Sequence, residues 1–114
     1  MYKKKFKEVM LSTVTEQQIL NLKNSLEYEK ESIVTKTVIK NKLTGYAFDR
    51  GQSMLPYTVP IEETFRIIEG RAEVMRGGKN FDLEEGEIIV MPKNVPHALF
   101  AKTKLKIALF KGRG

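Results

Sequence analysis

From Ser32 to Phe110 apolar and polar residues alternate with a period of two, interrupted at short intervals by glycine, asparagine and proline. That period is the signature of half-buried strands, whose successive side chains point to opposite faces. Ser32 to Asn41 is rich in β-branched residues (Ile33, Val34, Thr35, Thr37, Val38, Ile39), and Gly45 to Arg50 alternates Tyr46 and Phe48 with smaller or polar residues. Thr64 to Ile68 and Arg71 to Arg76 follow, and Gly77-Gly78 then predicts a two-residue hairpin into Lys79 to Leu83. Glu87 to Met91 is apolar on both alternations, which predicts a central strand buried on both faces and ended by Pro92. His97 to Ala101 and Leu105 to Phe110, joined by Lys102-Thr103-Lys104, complete the series.

Ahead of the strands the period changes. Thr15-Glu16-Gln17-Gln18 has the form of a capping box, with Val14 and Ile19 placed to make a hydrophobic staple. Ile19, Leu22 and Leu26 then fall at helical spacing, predicting a short helix ending near Tyr28 whose apolar stripe lies on the strands as a lid. Residues 1–29 therefore read as an N-terminal segment with a short helix packed on a barrel formed by residues 30–114. Many short strands with turn glycines between them favour an all-β sandwich or jelly roll over a parallel α/β sheet.

Composition narrows the functional classes. At 114 residues the chain suits one domain, and 41% hydrophobic with 30% charged residues is ordinary for a globular protein. The absence of cysteine excludes disulfides, thiolate nucleophiles and zinc–thiolate sites, and fits a reducing compartment. No run reaches the ~18 apolar residues of a membrane-spanning helix, and Val9-Met10-Leu11 is too short for a secretory core, so a cytoplasmic protein without a membrane partner is expected. A net charge of +6 would suit phosphates, but the lysines are scattered along the strands, so no specific nucleic-acid partner is expected.

The candidate chemistry centres on His97, the single histidine of the chain. It ends the pattern Gly86-x5-Pro92-x-Asn94-x2-His97, which resembles the second sequence motif of the cupins. Upstream, Gly51 and Glu63-x6-Gly70 resemble the first motif's opening glycine, acidic ligand and closing turn. The chain is thus similar to the small single-domain cupins of bacteria over about residues 30 to 110, which implies an all-β, cupin-like jelly-roll (double-stranded β-helix) barrel. The metal motif is degenerate. Where metal-bearing cupins carry a His-x-His pair, this chain has Tyr57 and Val59; Asn94 replaces a turn glycine and Ala101 a terminal asparagine. Asparagine tolerates the left-handed conformation, so that change is mild.

The resemblance implies that Tyr57, Glu63 and His97 point into one pocket; Leu99 shares the face of His97, and Met54, Phe48, Phe65, Ile67 and Met91 are candidates for its apolar wall, their inward parity not fixed by the sequence. Met54 and Leu99 join the three polar residues as expected ligand contacts. Glu63 and His97 are what remains of the ligand set, with Glu62 nearby, so no cofactor or only weak binding of a divalent metal is expected. Three functions follow: a small-molecule-binding cupin domain without catalysis; a metal-free or weakly metal-dependent acid–base enzyme of isomerase or epimerase type, with His97, Glu63 and Tyr57 as catalytic groups; and a structural or assembly module. A homodimer is expected because a small barrel leaves strand edges and an apolar face for a two-fold partner.

Overall fold

The computed structural model describes residues 6–10 and 19–112, and within them ten strands and one short helix. In chain order these are β1 (Phe6–Met10), α1 (Leu22–Ser25), β2 (Ile33–Ile39), β3 (Leu43–Phe48), β4 (Ser53–Tyr57) and β5 (Glu63–Glu69). There follow β6 (Arg71–Arg76), β7 (Lys79–Glu84), β8 (Ile88–Met91), β9 (His97–Ala101) and β10 (Leu105–Lys111). They form a six-stranded sheet in the order β1-β2-β3-β10-β5-β8 and a four-stranded sheet in the order β4-β9-β6-β7. All pairings are antiparallel except that of β1 with β2.

The two sheets face each other across one apolar interior, as a jelly roll requires. Period-two burial sorts the side chains: in β9, His97, Leu99 and Ala101 are buried while Ala98 and Phe100 are half-buried. The core joins Phe48, Phe65, Ile67, Ile89 and Ile107 of one sheet to Met54, Val74, Leu83 and Leu99 of the other. Gly77 and Gly78 both take positive φ, at 58° and 83°, as the predicted two-residue hairpin demands. Gly70 is needed for a second reason besides its φ of 87°, because a Cβ there would stand 2.0 Å from the Lys104 carbonyl oxygen.

All eight expected strands are present, and three expectations are corrected. Glu87 to Met91 is not a central strand: β8 is the edge strand beyond β5, and its Ile88 and Val90 are 57% and 42% exposed on the sheet's outer face. An unbroken apolar run shows that both faces are apolar, not that both are covered. The helix is a single turn capped by the Asn21 side chain, which accepts from the Asn24 amide at 3.0 Å, and the capping box at Thr15 lies outside the described residues. Ile19 is fully exposed and takes no part in the lid. Two further strands, β1 and β4, join the eight.

Leu26 sits past the helix in extended conformation and is buried with Val34 and Ala47, with Leu22 and Tyr28 against them. Burying a leucine contributes about 1.5–3 kcal/mol. Gly45 makes the approach possible, since a Cβ there would meet Leu22 Cδ1 at 2.9 Å. Polar contacts complete the attachment: the Tyr28 hydroxyl donates to Glu69, Lys23 lies 3.6 Å from the same carboxylate, and the Lys106 ammonium donates to the Lys23 carbonyl at 2.8 Å. Among the described residues no helix is long and apolar enough to cross a membrane.

The Tyr28 hydrogen bond, more than the nearby lysines, holds the Glu69 carboxyl below its ordinary range. The folded state therefore favours the charged form, so its stabilisation is full above the ordinary carboxylate range and disappears as pH falls through the lowered value. Tyr28→Phe is expected to lower the melting temperature at neutral pH and to have a smaller effect in acid. Thermal melts of both proteins across that interval check it, and a difference independent of pH contradicts the assignment.

Candidate functional site

Three strand ends place the three expected polar residues at one end of the interior. Glu63 opens β5 opposite Met91, His97 opens β9, and Tyr57 closes β4 opposite His97. Strict alternation would not have done this for Tyr57. Met54 pairs with Leu99 on the inward row, and three residues further along a regular strand lies the outward face. The register shifts between Met54 and Tyr57, so three steps on β4 match two on β9 and Tyr57 returns to the inward row beside His97. Pro56 sits in this bulge on an edge strand, where its missing amide costs no ladder hydrogen bond.

His97 is fully buried and Glu63 nearly so, at 4% exposure. The turn after Pro92 shapes the imidazole's surroundings: Asn94 takes φ 62°, its amide donates to the Val59 carbonyl at 2.8 Å, and Val95 presents its own carbonyl 3.0 Å from His97 Nδ1. A carbonyl only accepts, so Nδ1 carries a hydrogen and the neutral ring has its lone pair on Nε2. Nε2 lies 3.3 Å from Glu63 Oε1, within ion-pair range yet outside hydrogen-bond geometry, and it has no other polar partner. An imidazole lone pair and a carboxylate repel at that distance, so Nε2 and Oε1 face each other without a hydrogen bond. The Tyr57 hydroxyl donates to the same Oε1 over a long 3.4 Å. Its ring packs edge-on against His97 at 4.2 Å between centroids, and Phe65 does so at 5.9 Å. Burial, then the neighbouring Glu63 charge, pushes the Tyr57 phenol above its ordinary value and keeps its proton in place.

Donor chemistry tests whether these residues fit the metal found in other members of this fold. First-row metal sites use three or four protein donors. Among the described residues no third histidine, cysteine, aspartate or glutamate joins Glu63 and His97, and a protonated phenol is a poor ligand. Glu62 is exposed and does not form a metal-ligating group with the pair. The set does not fit a resident divalent metal.

Met54, Leu99, Phe48, Phe65, Ile67 and Met91 all belong to the core against which Tyr57 packs, and Phe65 among them makes a ring contact with His97. Tyr57, Glu63 and His97 do not line the clefts over Ala98, beside Tyr28, beside Asp82 or beside Gly86. Tyr57, half-buried, is the member nearest solvent. Sequence reasoning missed Val95, whose carbonyl sets the tautomer, although the Pro92–Asn94 turn beside it was visible. It also missed Arg76, which pairs with His97 across β6 and β9 and reaches the Val90 carbonyl at 3.0 Å, linking the two sheets at this end. No local pattern marks either role. Nitrogen-15 spectra of the imidazole are expected to show a protonated Nδ1 at neutral pH; a bare Nδ1 contradicts the Val95 assignment.

Comparison with known proteins places this geometry. The sequence matches the cupin domain family over residues 47–110, which includes Gly51, Tyr57, Glu63, Gly70, Gly86 and His97. No curated protein matches it significantly. Among solved structures, a conserved protein of unknown function from Streptococcus pyogenes superposes with TM-score 0.83 at 23% identity, covering 93% of this chain and 96% of that one. A cupin superfamily protein from Desulfitobacterium hafniense gives 0.79 at 16% identity, covering 90% and 98%. A cupin 2 conserved barrel domain protein from Leptotrichia buccalis gives 0.76 at 33% identity over 82% of this chain, which spans 47% of that longer protein. The motif spacing, the two facing sheets and the match across more than half the sequence agree, and the chain belongs to the cupin family.

Proposed function

We propose that this cupin binds a small polar molecule at the Tyr57 end of its interior, without catalysis and without a resident metal. The observation that carries the reading is His97 Nε2: a buried nitrogen, fixed in tautomer by Val95, beside a buried carboxylate and lacking a hydrogen bond. Leaving such a group unsatisfied costs about 1–3 kcal/mol, which a ligand hydroxyl donating to Nε2 would recover. Tyr57 covers the approach, and Met54 and Leu99 supply apolar contact beside it.

One observation favours acid–base catalysis as the second reading. Tyr57, Glu63 and His97 form a contiguous chain of proton-bearing groups, the arrangement an isomerase or epimerase acting on a small polar substrate uses. A single experiment separates the two. Glycolate, lactate, galactose and glucuronate are added to the protein in deuterium oxide while the His97 ring resonances and the carbon-bound protons of each probe are followed. Binding predicts saturable shifts of His97 by at least one probe, weakened about tenfold in Glu63→Gln, the worth of one hydrogen bond to a charged partner. Deuterium entering the probe with the native protein but not with His97→Ala establishes the enzyme instead. Unmoved His97 resonances overturn both readings and leave the structural module.

We further propose a homodimer, on the exposed apolar side chains Ile88, Val90 and Phe110 along the outer face of the six-stranded sheet. Light scattering at micromolar concentration is expected to give twice the chain mass, and Ile88→Asp to return it to the monomer. A native monomer contradicts it.

A further inference from the structure

The outer face of the four-stranded sheet carries a second set of convergent groups, separate from the buried triad. The registers place Ser53, Phe100, Glu73 and Asp82 in one row across β4, β9, β6 and β7. The adjoining row has Ala98 opposite Met75. Ala98 is the small member, and over it opens a groove of about 220 Å³ walled by Leu55, Met75 and Phe100, with Ser53 and Glu73 also lining it. Drug-sized ligands occupy roughly 300–1,000 Å³, so this groove suits something smaller.

Two polar features of the groove are unbalanced. Glu73 stands directly across from Asp82, and like charges opposite one another on a sheet are destabilising. Lys102 relieves Asp82 at 2.9 Å, whereas among the described residues no cation forms an ion pair with Glu73. Ser53 is 5% exposed and its Oγ has no hydrogen-bond partner. Two strand spacings, roughly 10 Å, separate the backbones of Ser53 and Glu73. Between them lies apolar surface.

We propose that this groove binds a small amine carrying a hydroxyl at its far end. The ammonium pairs with Glu73, the apolar body crosses the sheet over Ala98 between Leu55, Met75 and Phe100, and the hydroxyl meets Ser53 Oγ. The ion pair neutralises the one carboxylate of the row that the sheet leaves uncompensated, and the hydroxyl satisfies the buried serine. This site is independent of the triad and of the function proposed for it.

Tyramine, phenethylamine and 4-hydroxyphenylacetate are the probes, titrated into the full chain while backbone amide resonances are followed. Tyramine is expected to give saturable shifts at Ser53, Glu73 and Ala98. Phenethylamine, lacking the hydroxyl, binds more weakly, and the anionic 4-hydroxyphenylacetate does not bind. Glu73→Gln, a change of charge at nearly constant shape, is expected to weaken tyramine about tenfold, as loss of one charge-assisted contact implies. Ser53→Ala removes the preference for tyramine over phenethylamine, and Ala98→Leu, which fills the floor, abolishes both. Absence of saturable shifts, equal affinity in Glu73→Gln, or shifts confined to Tyr57 and His97 overturns the proposal. So does a dimer that Leu55→Asp converts to monomer, because a second copy then covers this face.

Discussion

An imidazole and a carboxylate 3.3 Å apart and removed from water cannot both be electron-pair donors toward each other. That constraint organises one end of this molecule. Nδ1 is committed to the Val95 carbonyl, so any proton that reconciles Nε2 with Glu63 lies between the two side chains. The left-handed Asn94, the turn that presents Val95 and the bulge that swings Tyr57 inward all act on this pair. Each is a local departure from regular strand geometry. Away from this end the strands mostly alternate and fill the interior, with register shifts also at Thr37–Ile39 and Lys106–Ile107.

That division explains what could be read from the residues. A period of two, with glycine or asparagine at the turns, reports regular strands faithfully, and it located eight of them and put Leu99 on the face of His97. β4 escaped because Pro56 interrupts Ser53 to Tyr57, and β1 because Phe6 to Met10 is short and carries two charges. Tyr57 is the instructive residue. Counting from Met54 would turn it outward, whereas counting from Glu63 in the motif put it in the pocket, and the bulge shows why the motif count prevails. A bulge is a relation between two strands, so neither strand's sequence contains it.

Long-range order was the least legible. Nothing in Glu87 to Met91 says which strands lie on either side, and β8 proves to be an edge. Similarly, the stripe of Ile19, Leu22 and Leu26 assumed one continuous helix. The chain instead makes one turn and runs extended, bringing Leu26 into the gap over Gly45 and Ala47 while Ile19 stays in water. The attachment depends on a residue without a side chain in a strand distant in sequence. No local pattern encodes that match.

Loss of the histidine pair changes more than the ligand count. A metal would neutralise Glu63 and engage the His97 lone pair at once, which is why a carboxylate and an imidazole are compatible in such pockets. With Tyr57 and Val59 in their place, the same two groups are buried face to face, and rings pack beside them. Tyr57 and Phe65 pack their edges against His97 at 4.2 and 5.9 Å, while the Val59 carbonyl ties its loop to the Asn94 amide. These residues act together: the phenol donates to Glu63, and its ring packs edge-on against the imidazole. A ligand of the kind proposed would have to displace Tyr57 from the imidazole face, and its selectivity would rest on whether its polar groups satisfy Nε2 and Glu63 better than that ring does.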